Sequence, residues 1–325
     1  MKTTATQELD KLTQKYEALG QEITPYLEGL YHSNFLTYWD YIHLDTLLTL
    51  QIPKTHFPDE KIFIMYHQIT ELYFGLVLLE LEQLQVIPKP SVSEICKRIS
   101  RIIGYFKNLT GSFDVMVNGM DPEQFLKFRL ALLPASGFQS VQYRKIEFRI
   151  AELPQLIHSE IRNQNTPIPA SLAEQFDILY WKFGNLDLKT GQKTLTLKMF
   201  EEKYNQELLA LATDIKGKTI WAMVNALPEE ERNNQTLINL LKQLDLFANV
   251  FWSLSHYKSA VKYLHKDLED IQATGGTNWQ KFLPPRFQRI QFFPECWTKT
   301  EIEEWGKGWV MELFNQQVEQ FWKTT

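Results

Sequence analysis

The sequence predicts an all-α protein built as a single large domain, and three observations carry this prediction. Apolar residues recur at three- and four-residue spacing over long segments, which is the period of an amphipathic helix. Short alternating runs separated by Asn-Gly or Asp-Gly pairs, the signature of hairpins, do not form a series along the chain. Helix-start and helix-stop residues punctuate the long segments. We therefore expect helices that cross around one pocket.

The first core helix is predicted between Lys61 and Val86. Its apolar residues form a wide stripe that comprises Ile62, Met65, Ile69, Leu72, Tyr73, Leu76 and Leu79. Ser91 begins the next helix, because Glu94 follows three residues later in the spacing of a capping box. These signals predict two long consecutive helices.

The following elements are predicted from proline and glycine positions. Asp121 before Pro122 indicates an N-cap with proline at the first helical position. The turn at 134–137 (PASG) ends that helix, and a helix over Phe138–Glu152 follows and ends before Pro154. Further predictions are loops at 163–169 and 185–193, a long helix at about 235–271, a break at 274–276 and a terminal helix at 301–322.

The domain organisation predicted from these elements is simple. Residues 1–36 form an N-terminal helical arm, and residues 37–325 form the main domain. The two loops bracket a small helical excursion within about 155–233. The first twenty residues lack the apolar stretch of a signal peptide, and no uninterrupted apolar run reaches transmembrane length, so we expect a cytoplasmic protein.

Composition excludes several classes of protein. The 44% hydrophobic residues can fill a core, so disorder is not expected. The net charge is −5 and the basic residues are dispersed, which argues against nucleic acid or an anionic membrane as partner. The two cysteines, Cys96 and Cys296, form no CxxC motif, so neither a thiolate metal knuckle nor a covalent haem attachment motif is expected.

Three residues stand out for chemistry. Arg129 lies in an apolar segment, where a guanidinium suits a carboxylate partner; the alternative is an arginine that snorkels to a nearby glutamate. His67 lies in the apolar helix and must be hydrogen-bonded, bound to a metal or facing a cavity; alone, it is more typical of a satisfied core histidine. His256 shares a helix face with Trp252, four residues earlier. No HExxH zinc motif is present.

Four sequence blocks occur in an order that carries a family resemblance. They are TYWDYIHLDTLLTLQ (37–51), FIMYHQITELYF (63–74), Arg129 with PASGFQS (134–140) and ATGGT (273–277). Together they resemble the tryptophan 2,3-dioxygenases, which are haem enzymes that open the indole ring of tryptophan. The resemblance extends from about Tyr38 to about Trp297 and is patchy between Pro154 and Asn233.

The resemblance implies a cofactor and the residues around it. The expected cofactor is non-covalent haem b, active as Fe(II), in an all-α fold shared by tryptophan and indoleamine dioxygenases. His256 would be the proximal iron ligand, and it keeps the Trp252 spacing of the family. The competing ligand is His265, nine residues later, which would point to the opposite face of the same helix. Ser136 and Gly137 would also contact the haem.

The resemblance also implies the substrate contacts. L-Tryptophan and O2 would react to give N-formylkynurenine, with His67 as the catalytic residue that hydrogen-bonds the indole N–H. Arg129 would bind the carboxylate and Thr274 the ammonium, while Phe63 and Phe125 would form the pocket wall. Tyr38, Tyr41 and Ile42 would reach the pocket of a neighbouring subunit in a homotetramer.

Some positions depart from the family pattern and keep alternatives open. The stretch from His256 to Thr274 is longer by about one helical turn. Thr277, Asn278 and Trp279 replace small residues, Tyr73 replaces a tryptophan and Gly75 a lysine. One alternative is a related haem-dependent hydroxylase of aromatic amino acids. Another is a non-catalytic haem- or metabolite-binding protein on the same scaffold.

Overall fold

The computed structural model of the chain is helical in nearly all its regular elements. It describes residues 3–163, 167–186, 190–266, 269–270 and 284–305. The fold is all-α as predicted; the strand pair among the described residues is a two-residue antiparallel hairpin, His265–Lys266 with Glu269–Asp270. The chain divides into two units, 1–52 and 53–325. The end predicted for the N-terminal arm, residue 36, falls within the first unit.

The first unit consists of short helices without a core of its own. Its helices are Thr4–Ala18, Thr24–His32, Tyr38–Tyr41 and Leu44–Leu47. None of the residues described between 3 and 52 is buried, although many are large and apolar. Burial of apolar surface is the main force that holds helices together, so this unit has little of its own to stabilise it.

The second unit contains the long helices and the core. Its α-helices are Asp59–Gln85, Val92–Ser112, Asp114–Asn118, Pro122–Phe128, Val141–Ile150, Ser159–Asn163, Leu172–Asp177, Tyr180–Phe183, Leu195–Asp214, Ile220–Asn225, Glu229–Arg232, Gln235–Asp245, Trp252–Leu264, Pro285–Gln288 and Lys299–Glu303. Short 3-10 helices span Arg129–Leu132, Gly137–Gln139, Leu153–Leu156 and Pro294–Cys296. A π-helix spans Leu246–Phe251.

The Asp59–Gln85 helix lies at the centre of the core. It packs against Val92–Ser112 and Val141–Ile150, and Val92–Ser112 packs in turn against Gln235–Asp245. Its buried side holds mainly apolar residues: Tyr66, Thr70, Phe74, Val77, Leu78, Leu81 and Leu84, together with Glu60 and Glu80. By length and composition alone this helix could also cross a membrane, a test that core helices of soluble proteins pass as well.

The apolar stripe predicted for this helix lies largely on its exposed side. Met65, Ile69, Leu72, Leu76 and Leu79 are exposed, Leu72 by 61%. The helix is apolar on two sides, so periodicity alone could not indicate which side packs inward. We call these five residues the exposed stripe.

The two helix starts predicted from capping residues, at Ser91 and Asp121, are confirmed. The Ser91 hydroxyl accepts from the Glu94 amide, and the Glu94 carboxylate accepts from the Ser91 amide at 2.8 Å. The Asp121 carboxylate accepts from the Gln124 amide at 3.0 Å, with Pro122 at the first helical position. These bonds satisfy amides that a helix start would otherwise leave unpaired. The helix predicted over Phe138–Glu152 is shorter, Val141–Ile150.

The prediction of one long helix at about 235–271 is wrong in two respects. The helix is divided into Gln235–Asp245, the π-helix Leu246–Phe251 and Trp252–Leu264, and it ends at Leu264. His265 follows in the hairpin and does not lie on the opposite face of the same helix. Apolar spacing did not reveal the π-helix, because a single π turn inside an α-helix adds only one residue to the pattern.

Asp245 anchors the described part of the C-terminal segment to this helix. Its fully buried carboxylate accepts hydrogen bonds from the amides of Phe292 (2.5 Å) and Phe293 (3.2 Å) and from Nε1 of Trp297 (2.9 Å). Burial raises the pKa of Asp245 to about 7, although these donors act in the opposite direction. Both cysteines are free thiols. The predicted terminal helix is described only as Lys299–Glu303; its remainder lies outside the described residues.

Candidate active site

Two histidines on different helices have the same hydrogen-bond arrangement. His67 Nδ1 lies 2.8 Å from the Phe63 carbonyl oxygen, one turn earlier on Asp59–Gln85. His256 Nδ1 lies 2.8 Å from the Trp252 carbonyl oxygen, one turn earlier on Trp252–Leu264. A carbonyl only accepts, so Nδ1 of each ring carries the proton and Nε2 of the neutral ring keeps its lone pair. Both side chains therefore offer Nε2 as a ligand or an acceptor.

Electrostatics keeps both rings neutral. Burial lowers the pKa of His67, and it lowers the pKa of His256 to about 4. Repulsion between protons on the two imidazoles adds to this effect and lowers the pKa of His256 further. Each residue nevertheless keeps some exposed surface. Neutral imidazoles that are surrounded by protein but still accessible suit a binding site.

Aromatic rings surround His256. The Trp252 ring lies 4.4 Å from the His256 ring, edge to face, and the Phe113 ring lies 4.5 Å from it. Phe113 also packs edge-on against Tyr66, with ring centroids 5.5 Å apart. These contacts restrict the rotation of the imidazole, because edge-to-face rings resist displacement.

A second group of rings lies beside His67. The Phe63 ring lies 4.1 Å from the His67 ring and 6.2 Å from Phe125, which comes from the Pro122–Phe128 helix. Phe125 lies 4.7 Å from Tyr263, two turns after His256 on the same helix. The structure thus brings Phe63, Phe125 and His67 together, and it links them to the helix of His256.

Arg129 follows directly after the helix that carries Phe125. It begins the 3-10 helix Arg129–Leu132 and is 5% exposed. Burial lowers the pKa of its guanidinium, because desolvation disfavours the charged form. A guanidinium held in an apolar setting strengthens its interaction with a carboxylate, which its planar fork matches.

Ser136 and Gly137 form the turn that follows. The Ser136 hydroxyl accepts from the Phe138 amide at 3.4 Å, and the Ser136 amide donates to Oε1 of Gln139 at 3.2 Å. A side chain at Gly137 would meet no atom within 4 Å. The turn is thus ordered by its own contacts, and Gly137 leaves open space at its surface.

Tyr38, Tyr41 and Ile42 lie in the first unit. Tyr38 and Tyr41 belong to the short helix Tyr38–Tyr41, which Thr37 caps, and Ile42 ends it. All three side chains are exposed, the two tyrosines by about three quarters. Thr274, which was predicted to bind the substrate ammonium, lies outside the described residues, as do Gly275 and Gly276.

Two residues that contact the predicted site residues, Phe113 and Tyr263, were not predicted from the sequence. Phe113 contacts both Trp252 and His256, yet it lies at the end of the Val92–Ser112 helix and carries no motif. Tyr263 contacts Phe125, and its hydroxyl donates to the Val117 carbonyl at 3.0 Å. The signal for Tyr263 was its spacing of seven from His256, which places both on one helix face.

The comparisons with known proteins identify the family. A family model described as tryptophan 2,3-dioxygenase matches residues 29–166, which include His67, Arg129 and the 134–140 turn. A tryptophan 2,3-dioxygenase of Herpetosiphon aurantiacus is 31% identical over 281 residues, which cover 82% of this chain and 97% of that protein.

Two further relatives have the same name. The protein of a Bradyrhizobium species is 30% identical over 273 residues, 81% of this chain and 91% of the relative. That of a Ruegeria species is 29% identical over 276 residues, again 81% and 91%. Because a relative of 31% identity is matched over nearly its whole length, this chain belongs to the tryptophan 2,3-dioxygenase family.

Proposed function

We propose that this protein opens the indole ring of L-tryptophan between C2 and C3 with O2, giving N-formylkynurenine. The observation that carries the proposal is the pair of neutral histidines, His67 and His256, each presenting Nε2 among aromatic rings. Arg129, which is buried and directly follows the helix that carries Phe125, supplies the positive charge that an amino-acid carboxylate requires. Family membership supports the same activity.

The residues fit non-covalent haem b. A neutral imidazole with a free Nε2 is a proximal ligand for haem iron, and its Nδ1–H bond to the Trp252 carbonyl sets the tautomer. In this proposal His256 holds the iron, while Trp252, Ser136 and Gly137 contact the haem. When bound and reduced to Fe(II), the haem supplies the activation of O2.

In this proposal each part of the substrate has its own protein contact. Arg129 binds the α-carboxylate with its two parallel N–H donors, and Thr274 accepts from the ammonium. Phe63 and Phe125 pack against the indole ring, and Nε2 of His67 accepts a hydrogen bond from the indole N–H. These contacts fix the C2–C3 bond in one orientation and exclude water from it, which lowers the entropic cost of reaction.

The active form in this proposal is a homotetramer in the cytoplasm. The exposed stripe on Asp59–Gln85 and the absence of buried residues between 3 and 52 support association, because both leave large apolar side chains in water. Tyr38, Tyr41 and Ile42 of one copy would complete the pocket of another. The net charge of −5 and the lack of a basic cluster in the sequence give no support for nucleic acid or membrane as partner.

The test is an optical spectrum of the full-length protein after haem reconstitution and reduction. L-Tryptophan is then added in air, and the absorbance of N-formylkynurenine is followed. A five-coordinate ferrous haem with product formation supports the proposal. 1-Methyltryptophan, which lacks the indole N–H, serves as the matched control and should turn over more slowly.

Other outcomes favour the alternatives. Bound haem without product, but with hydroxylation of an aromatic amino acid when peroxide is supplied, indicates the related hydroxylase. Bound haem with neither reaction indicates a haem- or metabolite-binding protein. Protein that takes up no haem contradicts the proposal and removes His256 as a ligand.

A further inference from the structure

The helix that carries His256 changes its hydrogen-bond register just before the site. The π-helix Leu246–Phe251 lies between two α-helical segments, and Trp252 and His256 belong to the second. A π turn holds one residue more than an α turn, so it rotates the residues that follow by about 100° relative to a continuous α-helix. The direction in which the side chains of Trp252 and His256 leave the helix thus depends on the π-helix.

A tyrosine from another helix bonds to the backbone of the π-helix. The Tyr143 hydroxyl, on Val141–Ile150, donates to the Ala248 carbonyl oxygen at 3.1 Å. Ala248 is fully buried, and a buried carbonyl that lacks a donor destabilises the fold. Burial raises the pKa of Tyr143 well above 10, so its hydroxyl keeps the proton that it donates.

A series of ring contacts also connects Tyr143 to His256. The Tyr143 ring centroid lies 5.3 Å from that of Phe74, and Phe74 lies 5.8 Å from Trp252 in an edge-to-face contact. Trp252 in turn lies 4.4 Å from His256. The hydroxyl and the ring of Tyr143 therefore act on the backbone and on the side chains of one short segment.

We infer that Tyr143 is a positioning residue for His256: its hydroxyl holds the π-helix through Ala248, and its ring supports Trp252 through Phe74. The role of His256 as haem ligand rests on the proposed function. The stabilisation of the π-helix by Tyr143 rests only on its contacts with Ala248 and Phe74. The two parts can accordingly be tested separately.

The first measurement is hydrogen exchange by mass spectrometry on the full-length, haem-free protein. Tyr143→Phe removes one oxygen and keeps the ring. The matched control is Tyr105→Phe, which removes the hydroxyl of a half-buried tyrosine that bonds Glu80 at 3.4 Å. Amides of residues 246–256 should exchange about fivefold faster in Tyr143→Phe, the factor that loss of one hydrogen bond gives, and should not change in Tyr105→Phe.

The second measurement is the iron–histidine stretching band in the resonance Raman spectrum of the reduced, haem-loaded variants. Tyr143→Phe should shift or broaden this band, and Tyr105→Phe should leave it unchanged. Unchanged exchange in 246–256, or faster exchange spread over the whole chain, would overturn the inference. Wild-type protein that takes up no haem would contradict the proposed function. The exchange comparison would still test whether Tyr143 stabilises the π-helix.

Discussion

At the scale of single residues, the position of the proton on each imidazole determines which nitrogen can act as a ligand or an acceptor. His67 and His256 both direct Nδ1 at a carbonyl oxygen one turn earlier, at 2.8 Å. This bond leaves Nε2 as the reactive nitrogen in both cases. The two rings differ in their surroundings, since His67 lies 4.1 Å from Phe63, whereas His256 lies against Trp252 and Phe113.

Arg129→Met should raise KM for L-tryptophan by about a hundredfold, on the order of 3 kcal/mol, because a charge-assisted carboxylate pair is lost. The haem spectrum should not change. Steady-state kinetics and the reduced optical spectrum measure both quantities. Lys127→Met, an exposed change two residues earlier, is the control and should leave KM unaltered. Loss of haem in Arg129→Met would contradict a role confined to substrate binding.

His256→Ala should abolish the five-coordinate ferrous spectrum, because no other imidazole on that helix can replace Nε2. His265→Ala should leave the spectrum intact, since His265 follows the end of the helix at Leu264. Haem titration of the two reduced variants compares them directly. The opposite pattern would make His265 the iron ligand.

At the scale of elements, local hydrogen bonds set where helices begin. The Glu60 carboxylate, fully buried, accepts from the amides of Lys54 (2.6 Å) and Thr55 (2.7 Å) and so joins the incoming chain to the Asp59–Gln85 helix. Burial raises the pKa of Glu60, but these bonds lower it more, and the net pKa lies below 4.5.

Glu60→Gln should lower the free energy of unfolding by about 1–3 kcal/mol at pH 7, because amide donors lose a charged acceptor. A lowered carboxyl pKa stabilises the fold above the unfolded pKa and ceases to do so as pH falls through the folded pKa. The difference from wild type should therefore decrease as the pH falls below 4.5 and through the lowered pKa of Glu60. Urea denaturation at several pH values tests this. Glu94→Gln, in the exposed capping box, should show a smaller loss, and an equal loss would contradict the role of burial.

At the scale of the whole molecule, the exposed apolar side chains support the proposed homotetramer. The exposed stripe runs along one side of Asp59–Gln85, and no residue described between 3 and 52 is buried. Monomers seldom leave a continuous apolar surface of this kind in water.

If the exposed stripe forms an interface of the proposed homotetramer, Leu72→Glu should give species of lower mass than the wild type, because a charge within an apolar interface is costly to desolvate. Multi-angle light scattering after size exclusion measures the mass. Leu195→Glu is the control, since Leu195 is also 61% exposed but lies on another helix. An unchanged mass for Leu72→Glu would place the interface elsewhere.

How much could be predicted from the sequence depended on how local each feature is. The caps at Ser91 and Asp121 were predicted correctly because a cap involves residues three apart. The sequence did not predict which side of Asp59–Gln85 faces inward, nor the π-helix at Leu246–Phe251, because each depends on what packs against the helix.

The sequence by itself determined the all-α fold, the two capped helix starts and the family, since the apolar period, the caps and the ordered motifs are local features of the sequence. Only the tertiary structure decided the tautomers of His67 and His256, the place of Phe113 beside His256 and the contact of Tyr143 with Ala248. These features join residues far apart in the chain or depend on burial. Distances and desolvation exist only once the helices have packed.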